Sequence, residues 1–124
     1  MTDVWQLMFT SLKKELGAEG IEVYPPATRQ KPTSAGLQKP YVVLKRNGGH
    51  KADRISSQIQ YYDVLVYVPR RRYSKIGSYK VLVKNAMKTL YPMIKPMNSE
   101  TPPFLDEEMD AWMVSVQYKN YVKL

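Results

Sequence analysis

Apolar positions recur along the chain with two different periods, and the change from one to the other marks out the elements. Val4, Trp5, Met8, Leu12 and Leu16 are spaced at three to four residues, which predicts a helix over Asp3–Leu16 with one buried face. Thr2 or Asp3 is placed to cap its start, and Gly17 and Gly20 to end it. Ile21–Tyr24 is short, β-branched and aromatic and predicts a strand, which Pro25-Pro26 stops. Ala27–Lys39 is dominated by Thr, Gln, Pro, Ser and Gly, with Leu37 its one large apolar residue. A stretch of that length without periodicity predicts a long loop or arm that orders against a neighbour.

Tyr41–Arg46 (YVVLKR) predicts a second strand, and Asn47-Gly48-Gly49 a turn, because Asn and Gly tolerate positive φ. A third strand is expected from about Arg54 to Val68. In its first half, Ser56, Gln58 and Gln60 alternate with Ile55, Ile59 and Tyr61, so one face is wet. Its second half, Val64–Val68 (VLVYV), is apolar on both faces. Such a strand belongs to a hairpin that projects beyond the domain body, with a basic tip at Lys45, Arg46, His50, Lys51 and Arg54. Pro69–Lys75 is expected as a dense basic loop. Tyr79, Leu82, Val83, Ala86, Met87 and Leu90 then form an apolar stripe, predicting a helix over Ser78–Tyr91, capped by Ser78 and ended by Pro92. Short extended pieces are expected at Met93–Pro96 and near Phe104. Strict alternation over Trp112–Val122 predicts the last strand. The fold class is therefore α+β: a mostly antiparallel sheet of about four to five strands on two helices, in a single domain spanning 1–124.

Composition narrows the chemistry. The 124 residues contain no cysteine and one histidine, His50, which excludes disulfides, thiolate metal sites and multi-histidine metal sites. No apolar run approaches the roughly 20 residues of a membrane span, and the N-terminus lacks the pattern of an export signal, so a soluble, intracellularly made protein is expected. No phosphate loop is present, because Gly48-Gly49 lacks the following helix and the Lys-Ser/Thr pair. Glu107, Glu108 and Asp110 form one acidic turn without a histidine or a facing carboxylate pair. The expectation is a protein that is not an enzyme, with no catalytic residue, metal or cofactor.

The net charge of +8 is unevenly spread. Pro25–Ser99 carries +13 and Glu100–Asp110 carries −5. Opposite charges on two sides of a head-to-tail contact favour one orientation, so Arg29, Lys31, Leu37, Arg46, His50, Lys51 and Arg54, with Asp106, Glu107 and Glu108, are candidate subunit or partner contacts. A solvated acidic turn is the alternative. Arg70, Arg71, Arg72 and Lys75 are candidates to face DNA, or else form a solvated loop that keeps a strand end wet. Ten of the fourteen aromatic residues are tyrosine, several of them on strands, which favours protein interfaces.

The element order resembles the small tail-terminator (tail-completion) proteins of tailed bacteriophages. The matching residues are Gly20-Ile21-Glu22-Val23-Tyr24-Pro25, the strand Pro40-Tyr41-Val42-Val43-Leu44 after the loop, and the strand Gln58–Val68 (QIQYYDVLVYV) followed by a helix near Ser78. The resemblance implies a virion protein, assembled in the host cytoplasm. It implies a ring of identical subunits, a hexamer in the family, that caps the tail tube, stops its polymerisation and joins the tail to the neck. Its partners would be copies of itself, the tube protein and a neck or head-completion protein, with DNA passing through the lumen and no membrane. The basic Arg70–Lys75 and acidic Glu100–Asp110 segments depart from the commoner form. They keep two alternatives open, a head-closure or neck connector protein and a small basic nucleic-acid-binding domain.

Overall fold

The computed structural model describes residues 4–25, 39–51, 57–107 and 110–123. The expected caps Thr2 and Asp3 and most of the expected arm lie outside these residues. The architecture is α+β, with two helices on a six-stranded mixed sheet. Helix α1 spans Val4–Gly17 and α2 spans Ile76–Lys88. The strands are β1 (Glu22–Tyr24), β2 (Tyr41–Lys51), β3 (Ser57–Pro69), β4 (Lys95–Glu100), β5 (Phe104–Asp106) and β6 (Ala111–Lys123). They run in the order β1-β2-β3-β6, with β4 and β5 both on the far edge of β6. The sheet exceeds the expected four to five strands because two short pieces share one edge. It is mixed because β1 joins β2 in parallel.

Alternation along the strands sorts their side chains into two clusters. Val42, Leu44, Val64, Val66, Val68, Val114 and Val116 face the helices, where they meet Met8, Leu12 and Leu16 of α1 and Val83, Ala86 and Met87 of α2. Each of the Val, Leu and Met side chains contributes about 1.5–3 kcal/mol by leaving water. Ser11 Oγ of α1 joins the helices by donating to the Ala86 carbonyl of α2 at 2.8 Å, and Thr89 Oγ1, at the end of α2 itself, donates to the same carbonyl at 2.9 Å. They satisfy one of the carbonyls that the end of α2 leaves without an intrahelical donor. The Trp5 indole N–H donates to the Leu44 carbonyl at 3.2 Å, fixing α1 over β2. After α1, Gly20 takes a positive φ of 76° and the Ile21 N–H returns to the Leu16 carbonyl at 2.9 Å, which turns the chain into β1.

The opposite face carries a second cluster of Tyr41, Val43 and Ala111, with Tyr24, Leu65 and Tyr67 packed against it and no helix residue among them. The expectation that Val64–Val68 is apolar on both sides holds, one set of residues entering each cluster.

Three local expectations need correction. Asn47-Gly48-Gly49 does not turn the chain. β2 runs on to Lys51, and the pairing with β3 merely shifts register between Arg46 and Gly49. Residues that tolerate unusual backbone angles serve a strand irregularity as well as a turn. The basic stretch after β3 is a 3₁₀ helix, Arg70–Lys75, that leads directly into α2, so Ser78 lies inside the helix and does not cap it. Helix α2 stops at Lys88, three residues before Tyr91. The Thr89 hydroxyl turns back onto Ala86 there, and the chain turns through a cis Tyr91–Pro92 bond.

Candidate functional site

The candidate residues fall at two ends of one sheet. At the first end, β3 finishes at Pro69 opposite Ala111, where β6 begins. The acidic turn and the basic 3₁₀ helix both lie here. Asp110 adopts a positive φ of 50° and its N–H donates to the Glu107 carbonyl at 3.3 Å, closing the turn. Its carboxylate stands 3.6 Å from the Arg70 guanidinium, and the Arg70 N–H donates to its carbonyl at 3.3 Å. One acid of the turn is thus paired within the same chain, and the pair is solvent-exposed. Arg71, Arg72, Tyr73 and Lys75 are exposed beside it, and Tyr73 leans on Trp112 with ring centroids 4.6 Å apart.

Asp106 turns out to serve the second cluster. On β5 it stands opposite Ala111, and its charge acts on Tyr41 and Tyr67. Those rings stack at 4.7 Å, and Tyr24 meets Tyr41 edge-on at 5.8 Å. The Tyr24 phenol also donates to the Glu22 carboxylate. Burial pushes the Tyr41 phenol well above the ordinary tyrosine range, with Tyr67 and then Asp106 adding to it. Burial, then Asp106, raises Tyr67 as well. Farther along the same face, Asp63 and Ser115 are buried, and Asp63 Oδ1 and Ser115 Oγ have no hydrogen-bond partner. Glu107 is exposed; Glu108 lies outside the described residues.

At the second end, Ser57 of β3 stands opposite Lys123 of β6, and Lys51 of β2 opposite Gln58. The projection expected as a two-stranded hairpin has a third strand, β6. Among the described residues, the core cluster stops at Tyr62 and Tyr118 toward this end. Lys45 and Arg46 are exposed at its base, and the backbone of His50 and Lys51 continues the strand. The remaining candidates, Arg29, Lys31, Leu37 and Arg54, lie outside the described residues. The thirteen residues of β3 separate the two ends by roughly 40 Å.

A groove of about 390 Å³ at the sheet edge is lined by Phe9, Lys13, Ile21 and Tyr24, among others, with the Lys13 ammonium 5.0 Å from the Phe9 ring centre. Among the described residues, no three His, Asp or Glu side chains come close enough to hold a metal ion, and no helix is long and apolar enough to cross a membrane.

Sequence reasoning missed two connections. The Arg70–Asp110 pair and the Asp106–tyrosine contact depend on strand register across more than thirty intervening residues, which charge counting does not reveal. The parity of Tyr41, Val43, Leu65 and Tyr67 was the available signal for the second cluster. No protein-family model matches the chain, and no curated protein matches it.

Proposed function

We propose that this chain is a structural subunit of the tail-terminator kind, which assembles with copies of itself into a ring on the tail tube of a bacteriophage, stops tube growth and receives the neck. The observation that carries this reading is the placement of the basic hairpin and the acidic turn at opposite ends of one sheet. At roughly 40 Å they do not meet within a copy, and they do meet when one copy stacks against the next. Contacts between unlike surfaces generate a ring where the rotation closes. Charged residues and the register shift on β2 discourage indiscriminate strand pairing at that edge.

Native mass spectrometry at low and high salt tests the proposal. A closed oligomer is expected at low salt, with smaller species as salt screens the exposed charges. A strict monomer at every salt concentration, together with tubes of unchanged length when the protein is removed from assembly, would sink it.

A further inference from the structure

The sheet ends on two short edges that match one another. β1 and β5 have three residues each, and among the described residues each is paired on one side only, β1 with β2 and β5 with β6. Strand register places the two edges in the same rows. Glu22 stands opposite Tyr41, Tyr41 opposite Tyr67, Tyr67 opposite Met113 and Met113 opposite Phe104. β1 runs parallel to β2, and three antiparallel pairings follow before β5 is reached, so β5 runs antiparallel to β1. A second copy set beside the first in the same orientation brings its β5 alongside β1 as an antiparallel neighbour, with Phe104 opposite Glu22. No shift along the strands is needed.

The side chains fit on both faces of that continued sheet. Phe104 shares the face of Met113 and Tyr67, the tyrosine side, and is 47% exposed. Leu105 pairs with Trp112, which packs on the helix-side core, so Leu105 faces the helices and is half-buried. The β1 edge has a place for each. On the helix side, the groove between α1 and β1, lined by Phe9, Lys13, Ile21 and Val23, takes Leu105, which falls opposite Ile21. On the other side, Phe104 lies diagonally across from Tyr24 and extends the row of Tyr24, Tyr41 and Tyr67 rings. The charges agree as well. Glu107, exposed two residues beyond Leu105, is carried toward Lys13, exposed at the groove, while the Tyr24 phenol holds the Glu22 carboxylate. We propose that the β5 edge of one copy adds to the β1 edge of the next, with Leu105 entering the groove and Phe104 joining the tyrosines. Three-residue strands offer few backbone hydrogen bonds, so these side chains set the specificity. The contact rests on the reading that copies of this chain associate. It runs across the strands, where the hairpin–turn contact runs along them, so each can fail alone.

The chain contains no cysteine, so disulfide trapping reads the contact directly. Glu22→Cys and Phe104→Cys are made as separate proteins, each shown to be folded by circular dichroism. Alone, each forms only like–like dimers. Oxidised as an equal mixture, they should give dimers joining 22 to 104 well in excess of the half that random collision yields, identified by mass spectrometry of the linked peptides. The excess should persist at high salt, because salt screens exposed charges and not apolar burial. Adding Leu105→Lys to the Phe104→Cys protein sets a cation against Lys13 and should remove the excess. A random share of mixed dimers overturns the proposal. So does an excess that Leu105→Lys leaves intact, or an equal excess when Val81→Cys, exposed on α2, replaces Phe104→Cys. Salt-sensitive oligomers without the excess would overturn the edge contact and leave the hairpin–turn contact standing. The excess at high salt without salt-sensitive oligomers would do the reverse.

Discussion

Tyr41 and Tyr67 lie against each other on the face of the sheet away from the helices, with Asp106 near enough to oppose ionisation of both. A phenol whose folded value is raised holds its proton more tightly in the native state than in the unfolded chain. Its contribution to stability is complete below the unfolded value near pH 10 and is lost as pH rises through the higher folded value. Stability should therefore be flat across neutral pH with respect to these groups and decline in alkali. Asp106→Asn removes the charge contribution and leaves the burial. Ultraviolet titration of the phenols should show the delayed tyrosine step moving down toward the ordinary range without reaching it. An unmoved step would mean that Asp106 does not act on the pair. On the helix side of the sheet Leu44 is fully buried, and Leu44→Ala should cost about 2–5 kcal/mol in denaturant unfolding, the range for a truncated core leucine. A loss of a few tenths would show that α1 does not seal that part of β2.

At the scale of elements, periodic patterns were legible and punctuation was not. Met8, Leu12 and Leu16 announced α1, and the alternation of Val114, Val116 and Tyr118 announced β6, because burial of one face leaves a period in the sequence. Asn47-Gly48-Gly49 was misread because a bulge and a turn ask for the same backbone freedom. The 3₁₀ helix Arg70–Lys75 was hidden for another reason: none of its residues is buried, so no apolar period could mark it. Its junction with α2 yields a prediction. Lys75 occupies the N-terminal boundary of α2, exposed and without a side-chain cap. Lys75→Glu replaces a cation at the positive end of the dipole with an anion, which should stabilise the fold by roughly 0.5–1 kcal/mol and raise the thermal midpoint by a few degrees. An unmoved midpoint would show that the dipole of α2 is not felt at this position.

Across the whole molecule, the segment charges read from sequence do not sort cleanly between the two ends of the sheet, because seven of the fifteen basic residues of Pro25–Ser99 lie on the 3₁₀ helix and α2 and not on the hairpin. Counting placed a basic hairpin and an acidic turn in separate parts of the chain, and strand register sets them roughly 40 Å apart. Counting could not foresee that the acidic end also holds the 3₁₀ helix, so that Asp110 is engaged with Arg70 and the acids left to a neighbour are fewer. Exposed Lys45 and Arg46, at the base of the hairpin opposite the middle of β3, and Asp106 with exposed Glu107 at the far end of the sheet remain the test of a head-to-tail contact. Lys45→Glu/Arg46→Glu reverses the first surface and Asp106→Lys/Glu107→Lys the second. Each variant alone sets like charges face to face and should reduce self-association, measured by light scattering at low salt. Mixed in equal amounts they should regain mixed oligomers, because the reversed hairpin of the first variant meets the reversed turn of the second, and the unaltered turn of the first meets the unaltered hairpin of the second. Simple unfolding does not predict that recovery, since two damaged proteins do not repair each other. If the mixture stays as dissociated as its components, the contact does not run between these two ends, and the ring reading loses the charge pattern that supports it.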